Sequence, residues 1–176
     1  VIFPAELADL EGIHFSQQGV EIPVGLWPDD VSRAHAIYDS TAFDDLNDRG
    51  LIRITEFNLR PDGAATVGSI IGFKNLKLAF AVTSADTNEI SRTFTENLEV
   101  ITSDLVTVYD QPWESEVRFP VPAEGTRPFD FKIQLTTPFV FDPTAGNLFV
   151  EWNIGRATHP STRFDFDDQW GLQFSD

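Results

Sequence analysis

The chain of 176 residues contains neither cysteine nor methionine. Without cysteine it has no disulfide, no thiolate metal ligand and no thiol nucleophile. It has only three histidines, His14, His35 and His159, and none is spaced as the His-x-His or His-x-x-x-His pairs that bind metals. We therefore predict that the histidines lie on polar surface or are satisfied structural residues.

Basic residues are also scarce, with 12 Lys and Arg against 28 Asp and Glu and a net charge of −16. This balance argues against nucleic acid as a partner and disfavours anionic lipid. It favours cation binding, and it makes copies of the chain repel one another unless salt or metal screens them. No apolar run approaches the roughly 18 residues of a membrane-spanning helix, so we predict no membrane insertion.

The sequence begins at Val1 rather than at methionine. We interpret this start as the product of signal-peptide cleavage, which predicts a secreted protein that lies outside the cell or at its surface.

The clearest structural signal in the sequence is a stretch of alternating residues between 129 and 154. Apolar and polar residues alternate over 129–136, and a second apolar face begins at Leu148. This period of two is typical of half-buried strands. Between them, 142–147 form a turn signal in which Gly146 is able to take a positive φ. The pattern predicts two antiparallel strands joined by this turn.

Similar patterns recur along the whole chain. Other predicted strands are 33–38, 51–60, 76–82, 105–109, 117–121 and a tail strand within 156–176. Because the apolar residues of 51–60 change parity, we expect a bulge near Thr55 and Glu56. Short helices are predicted at 4–12 and 91–97. The chain is thus predicted to be one all-β domain, 1–176, an antiparallel and jelly-roll-like β-sandwich with one or two short helices.

Several segments carry a family resemblance: 3–12, 33–43, 54–62, 76–84, 104–109 and 129–150. In these the chain resembles the small β-rich secreted bacterial proteins that often carry a C-terminal PEP-CTERM sorting tail. The resemblance implies export, a surface or matrix location and a sandwich fold, with no catalytic signature. Two features depart from the family: the sorting tail is missing, and Ala34 stands where an aromatic residue usually follows Arg33.

Catalytic motifs are missing from the sequence. It contains no Gly-x-Ser-x-Gly elbow, no glycine-rich phosphate loop and no Glu-x-Asp-x-Glu strand pattern of jelly-roll glycosidases. We therefore predict a protein that is not an enzyme.

Clustered carboxylates make calcium the most plausible ligand, because hard cations prefer several oxygen ligands. The predicted site is Asp165, Asp167 and Asp168, and a second acidic group is Asp44, Asp45 and Asp48. Neither matches the twelve-residue calcium loop, so a solvated acidic surface is the alternative interpretation.

Four tryptophans raise the question of carbohydrate binding, since flat aromatic rings stack on sugar faces. Trp113, in an apparent loop at 111–114, is the first candidate, and Trp27 is the second. Trp152 has the apolar parity of its strand and is predicted to lie in the core, and Trp170 is expected to pack the tail.

The sequence leads us to expect a non-enzymatic extracellular structural protein that self-associates as a surface, matrix or filament subunit. The apolar start, Val1, Ile2 and Phe3, is the predicted insert that pairs with the sheet edge of another copy. The alternative is a carbohydrate-binding module that recognises exopolysaccharide.

Overall fold

The computed structural model describes residues 2–3, 32–47, 50–61, 66–120, 122, 128–158 and 166–174. These residues form eight strands in two antiparallel sheets of four, which confirms the predicted all-β sandwich. The strands are β1 (Ile2–Phe3), β2 (Ser32–Tyr38), β3 (Ile52–Pro61), β4 (Ile70–Thr83), β5 (Val106–Glu116), β6 (Phe131–Phe141), β7 (Asn147–Ile154) and β8 (Phe166–Phe174).

Sheet A has the strand order β1-β8-β3-β6, and sheet B has the order β2-β7-β4-β5. Their facing sides form one core that is rich in aromatic rings. The Phe57 ring of sheet A meets Trp152 of sheet B edge-on, with ring centroids 4.9 Å apart. Trp152 is 3% exposed, as its apolar parity predicts.

Strand β3 contains the predicted bulge. Its register with β8 shifts between Ile54 and Glu56, because two steps along β3 face a single step along β8, from Phe174 to Gln173. Ile54 and Phe57 are both fully buried although they differ in parity. The extra residue lets both side chains enter the core, which a regular strand does not allow.

The turn between β6 and β7 also has the predicted form. Pro143–Ala145 form a 3₁₀ turn, and the following residue, Gly146, has a φ of 146°. A Cβ atom at Gly146 would lie 2.4 Å from the Thr83 carbonyl oxygen, so this close approach requires glycine.

The predicted strand at 117–121 is wrong, and so is the predicted loop at 111–114. Strand β5 continues to Glu116 and includes Pro112 and Trp113, whereas Val117 lies beyond its end. Proline is tolerated here because β5 is the edge strand of sheet B and its register with β4 is irregular between Leu76 and Phe73.

Helical structure is short. The α-helices are α1 (Asp44–Asn47) and α2 (Phe94–Glu99), and 3₁₀ turns also occur at Ser40–Phe43 and Thr87–Glu89. Helix α2 corresponds to the predicted helix of 91–97, but it begins three residues later and ends two residues later. The predicted helix of 4–12 lies outside the described residues. No helix in the described ranges is long and apolar enough to cross a bilayer.

Candidate functional site

Among the described residues, the outer face of sheet B carries a network of buried polar side chains. Residues 84–105, which we call the strap, leave the end of β4, form α2 and return to begin β5. The strap rejoins the sheet where Thr102 N donates to Val82 O at 2.8 Å. Ala79 and Ala81 of β4 are buried although they face outward. These small side chains leave room for larger groups under the strap.

An ion pair lies beneath the strap between strands β2 and β7. His35 and Glu151 are directly opposite in the register, and His35 Nε2 lies 2.9 Å from Glu151 Oε2. Arg33 Nε donates to the same carboxylate oxygen at 3.0 Å, and Arg33 Nη2 also donates to it. Asn153 Nδ2 donates to Glu151 Oε1 at 2.9 Å. Both carboxylate oxygens therefore have charged or polar partners, as a buried charge requires.

Asn97 of helix α2 joins the strap to His35. Its Oδ1 accepts from Ser91 N at 2.7 Å, and its Nδ2 donates to Ser91 O at 2.9 Å. These two bonds fix the amide so that Nδ2 also faces His35 Nδ1, at 3.3 Å. Because Nδ1 then faces a donor and Nε2 faces a carboxylate, the network is satisfied by a neutral imidazole with its proton on Nε2.

Aromatic rings enclose the His35 side chain. Phe94 of the strap and Phe149 of β7 meet the imidazole edge-on, with centroids 4.8 and 4.9 Å away. Arg33 Cζ lies 4.9 Å from the Phe94 ring centroid, a cation–π distance. The His35 side chain is 1% exposed and that of Arg33 is 35% exposed. The histidine is therefore removed from water, while the arginine still reaches it.

Burial and charge shift the ionisation of this cluster in a consistent direction. Burial lowers the pKa of His35 below 6.5, and this effect exceeds the opposing influence of Glu151. Burial raises the pKa of Glu151, but the hydrogen bonds from Arg33, His35 and Asn153 outweigh it, and the net pKa lies below 4.5. At neutral pH the cluster is thus an Arg33–Glu151 ion pair beside a neutral histidine.

The hydrogen bonds of His35 connect the strap to the sheet. A histidine that activates a nucleophile needs one ring nitrogen directed at the hydroxyl or thiol. In this cluster Glu151 takes one nitrogen of His35 and Asn97 takes the other. The arrangement joins the strap to the sheet and leaves both ring nitrogens of His35 with a hydrogen-bond partner.

A second buried carboxylate, Asp130, lies directly before β6 and binds backbone N–H groups. Its Oδ2 accepts from the backbone N–H groups of Arg118 and Phe119, the latter at 3.3 Å. Asp130 is 7% exposed. It thereby satisfies backbone donors of the chain that leaves β5, without an ion pair among the described side chains.

Trp113, the first candidate for sugar stacking, is a core residue. It is 7% exposed, its ring stacks on Phe73 at 6.0 Å, and its Nε1 donates to Lys132 O at 3.0 Å. The prediction of an exposed platform at Trp113 is wrong because β5 continues through this residue and turns the ring inward. Trp27, the second candidate, lies outside the described residues.

Only part of the predicted calcium site lies within the described residues. Asp165 lies outside the described residues, whereas the backbones of Asp167 and Asp168 belong to β8. Within the described part of the chain, no group of three or more His, Asp or Glu residues is arranged to hold a metal ion. The calcium site therefore stays a prediction.

The predicted self-association segment forms an edge of the sandwich. Val1 is outside the described residues, but Ile2 pairs with Gly171 and Phe3 with Trp170 of β8 in the same chain. His14 and His159 also lie outside them. Strand β1 thus pairs within its own molecule in this structure.

Sequence reasoning missed Glu151 and Asn97. A signal for Glu151 was present, because the carboxylate interrupts an otherwise apolar strand, Leu148 to Trp152, in which every residue is buried. A lone charge in such a strand indicates a buried ion partner. Asn97 gave no comparable signal, since its partners lie in its own segment and on a strand about sixty residues earlier in the chain.

No family model, no curated protein and no solved structure matches this chain.

Proposed function

We propose that this chain is a non-enzymatic extracellular structural protein that self-associates through the side of the sandwich formed by β1 and β2, which we call the open side. The observation that carries the proposal is the exposed main chain of β2. His35 is half-buried as a residue although its side chain is only 1% exposed, so the accessible area belongs to its backbone. Accessible backbone on an edge strand is a surface to which another strand adds.

The proposed donor segment is the predicted one, Val1 to Phe3. In this structure Ile2 and Phe3 occupy the edge of β8 through only two residue pairs. So short a strand contributes little to holding its own chain. Once released from β8, this segment could add to the accessible edge of β2 in a neighbouring copy, where new main-chain pairs would replace the two that it gave up.

Charge sets the conditions under which copies meet. A net charge of −16 makes copies repel one another, and added salt screens this repulsion over about 10 Å at 0.1 M. Calcium bound at Asp165, Asp167 and Asp168 would reduce the charge further. We therefore propose that assembly strengthens with salt or with divalent cations.

The extracellular location and the jelly-roll class are parts of the same proposal. The location rests on the resemblance to PEP-CTERM-type secreted proteins. The jelly-roll class is supported by the strand orders β1-β8-β3-β6 and β2-β7-β4-β5, in which the chain passes repeatedly between two antiparallel sheets.

Sedimentation of the full chain and of a variant lacking residues 1–5 tests the proposal. We expect the full chain to form larger species at about 0.5 M salt than at about 0.05 M. The truncated chain should stay monomeric under both conditions while keeping its far-ultraviolet circular dichroism spectrum. Val67→Ser is a matched control, since Val67 is 49% exposed and lies outside β1, β2 and β8, and it should assemble as the full chain does.

A full chain that stays monomeric at every salt and calcium concentration would overturn self-association. Equal assembly of the full and truncated chains would overturn the role of the first residues.

A further inference from the structure

The His35 network has a single pattern of donors and acceptors that satisfies every member. Asn97 Nδ2 donates to His35 Nδ1 at 3.3 Å, and the opposite ring nitrogen donates to Glu151. Protonation adds a hydrogen to Nδ1, so that two donors then face each other across this contact. Rotating the Asn97 amide to present its oxygen would give up both bonds to Ser91.

The strap is fastened differently at its ends and in its middle. At one end, Asn147 Nδ2 donates to Ala85 O at 2.9 Å. At the other end, Thr83 Oγ1 donates to Val100 O and Ser103 Oγ accepts from Val82 N, each at 2.8 Å, beside the Thr102 bond to Val82. Between these ends, over residues 91–99, the described hydrogen bond to the sheet comes from Asn97 and the described ring contacts come from Phe94. All of them are made with His35 or with Arg33 beside it.

We propose that His35 is a proton-operated latch: when its ring gains a proton, the middle of the strap, residues 91–99, detaches from sheet B while the sandwich beneath stays folded. Detachment exposes Phe149 of β7 and Ala79 and Ala81 of β4 to solvent. This latch belongs to the single chain and does not depend on self-association.

The charged groups around His35 fix the direction of the response. Glu151 faces the ring from β7, Arg33 adjoins it on β2, and β4 contributes the uncharged Ala79 and Ala81. The charged residues of the strap near α2, Glu89, Arg92, Glu96 and Glu99, are all exposed. Because the pKa of His35 in the closed state lies below 6.5, the open state binds the proton more tightly. Closure is therefore complete above about pH 6.5 and is lost as the pH falls through the lower value of the closed state.

Hydrogen exchange of the full chain, read by mass spectrometry, tests the latch at about pH 7.5 and about pH 5.5. After correction for intrinsic exchange rates, peptides from 91–99 should exchange up to about tenfold faster at the lower pH, the limit for release of one proton-linked contact over this interval. Peptides from β3 and β6 should change little. Equal corrected rates for 91–99 at the two pH values, or equal acceleration in β3 and β6, would overturn the proposal.

Two variants separate the latch from general acid sensitivity. His35→Gln keeps a polar group at the ring position but does not titrate, so the pH dependence in 91–99 should vanish. Asn97→Asp places an acceptor opposite Nδ1, so the His35 pKa measured by NMR should rise above that of the unsubstituted chain. The His35 signal is assigned by its loss in His35→Gln. Acceleration that persists in His35→Gln, or an unchanged His35 pKa in Asn97→Asp, would also overturn the latch.

Discussion

On one side of the sandwich, the edge strands β5 and β6 are joined across the two sheets by side chains. Trp113 donates to Lys132 O, and Thr136 Oγ1 donates to Val108 O, each at 3.0 Å. On the open side, β2 keeps accessible backbone and β1 consists of two residues. Within the described part of the chain, side-chain bonds thus join the two sheets on the side of β5 and β6, which we call the closed side, and not on the open side.

The contrast between the two sides shows how side chains protect an edge strand. A side-chain donor that reaches an edge carbonyl satisfies a group that a foreign strand would otherwise bind. At β5 and β6 the donors are the buried indole of Trp113 and the hydroxyl of Thr136. At β2 the polar side chains Arg33 and His35 are directed to Glu151 on the outer face, so they do not protect the strand edge.

The strongest test of the closed side is Trp113→Ala. It removes a buried ring that contacts Phe73 and Phe131 and also the bond to Lys132 O. We expect a loss of about 3–5 kcal/mol in the free energy of unfolding, measured by urea denaturation. Phe119→Ala, at a residue that is 49% exposed, is the control and should cost less than about 0.5 kcal/mol. Similar losses in the two variants would mean that Trp113 does not secure the closed side.

Glu151→Gln tests the anchor of β2 on the open side. Gln keeps the shape but removes the charge that Arg33 and His35 face, and we expect a loss of about 2–3 kcal/mol. This lies below the value of about 3–5 kcal/mol for a fully buried pair, because Arg33 still reaches water.

Glu116→Gln, at an exposed carboxylate on β5, is the matched control for Glu151→Gln and should be nearly neutral. Adding Arg33→Gln to Glu151→Gln should cost little more than Glu151→Gln alone, since the pair is already broken. Fully additive losses would contradict the ion pair.

The smallest effect is expected from the loss of a single hydrogen bond on the closed side, that from Thr136 to Val108 O. Thr136→Val has nearly the same shape but cannot donate to Val108 O, and Thr136 is exposed, so water partly replaces the bond. We expect a loss of about 0.5–1 kcal/mol by thermal unfolding. If this variant also associates more readily, as measured by light scattering, the Thr136 side chain protects the edge against assembly. If its stability is unchanged, this hydrogen bond does not stabilise the closed side.

Prediction from the sequence succeeded where the information is local. The alternation around Phe131 and Ile133, the parity change before Phe57 and the glycine of the 142–147 turn each act through a few neighbouring residues. It failed at Pro112 and Trp113, where a proline signal typical of a loop lies in an edge strand. Whether a strand is central or at an edge depends on pairing with distant residues, and no short pattern contains that information.

Residue type and spacing along the chain are enough to specify the all-β class, the alternating core, the bulge in β3 and the strong negative charge. Only the tertiary structure brought Arg33, His35, Asn97 and Glu151 into one cluster under the strap. It also decided which strand edges are closed and which are accessible. These features depend on pairs that are far apart along the chain, such as Arg33 and Glu151, which are separated by 118 residues. Such pairs are set by sheet order and not by local propensity.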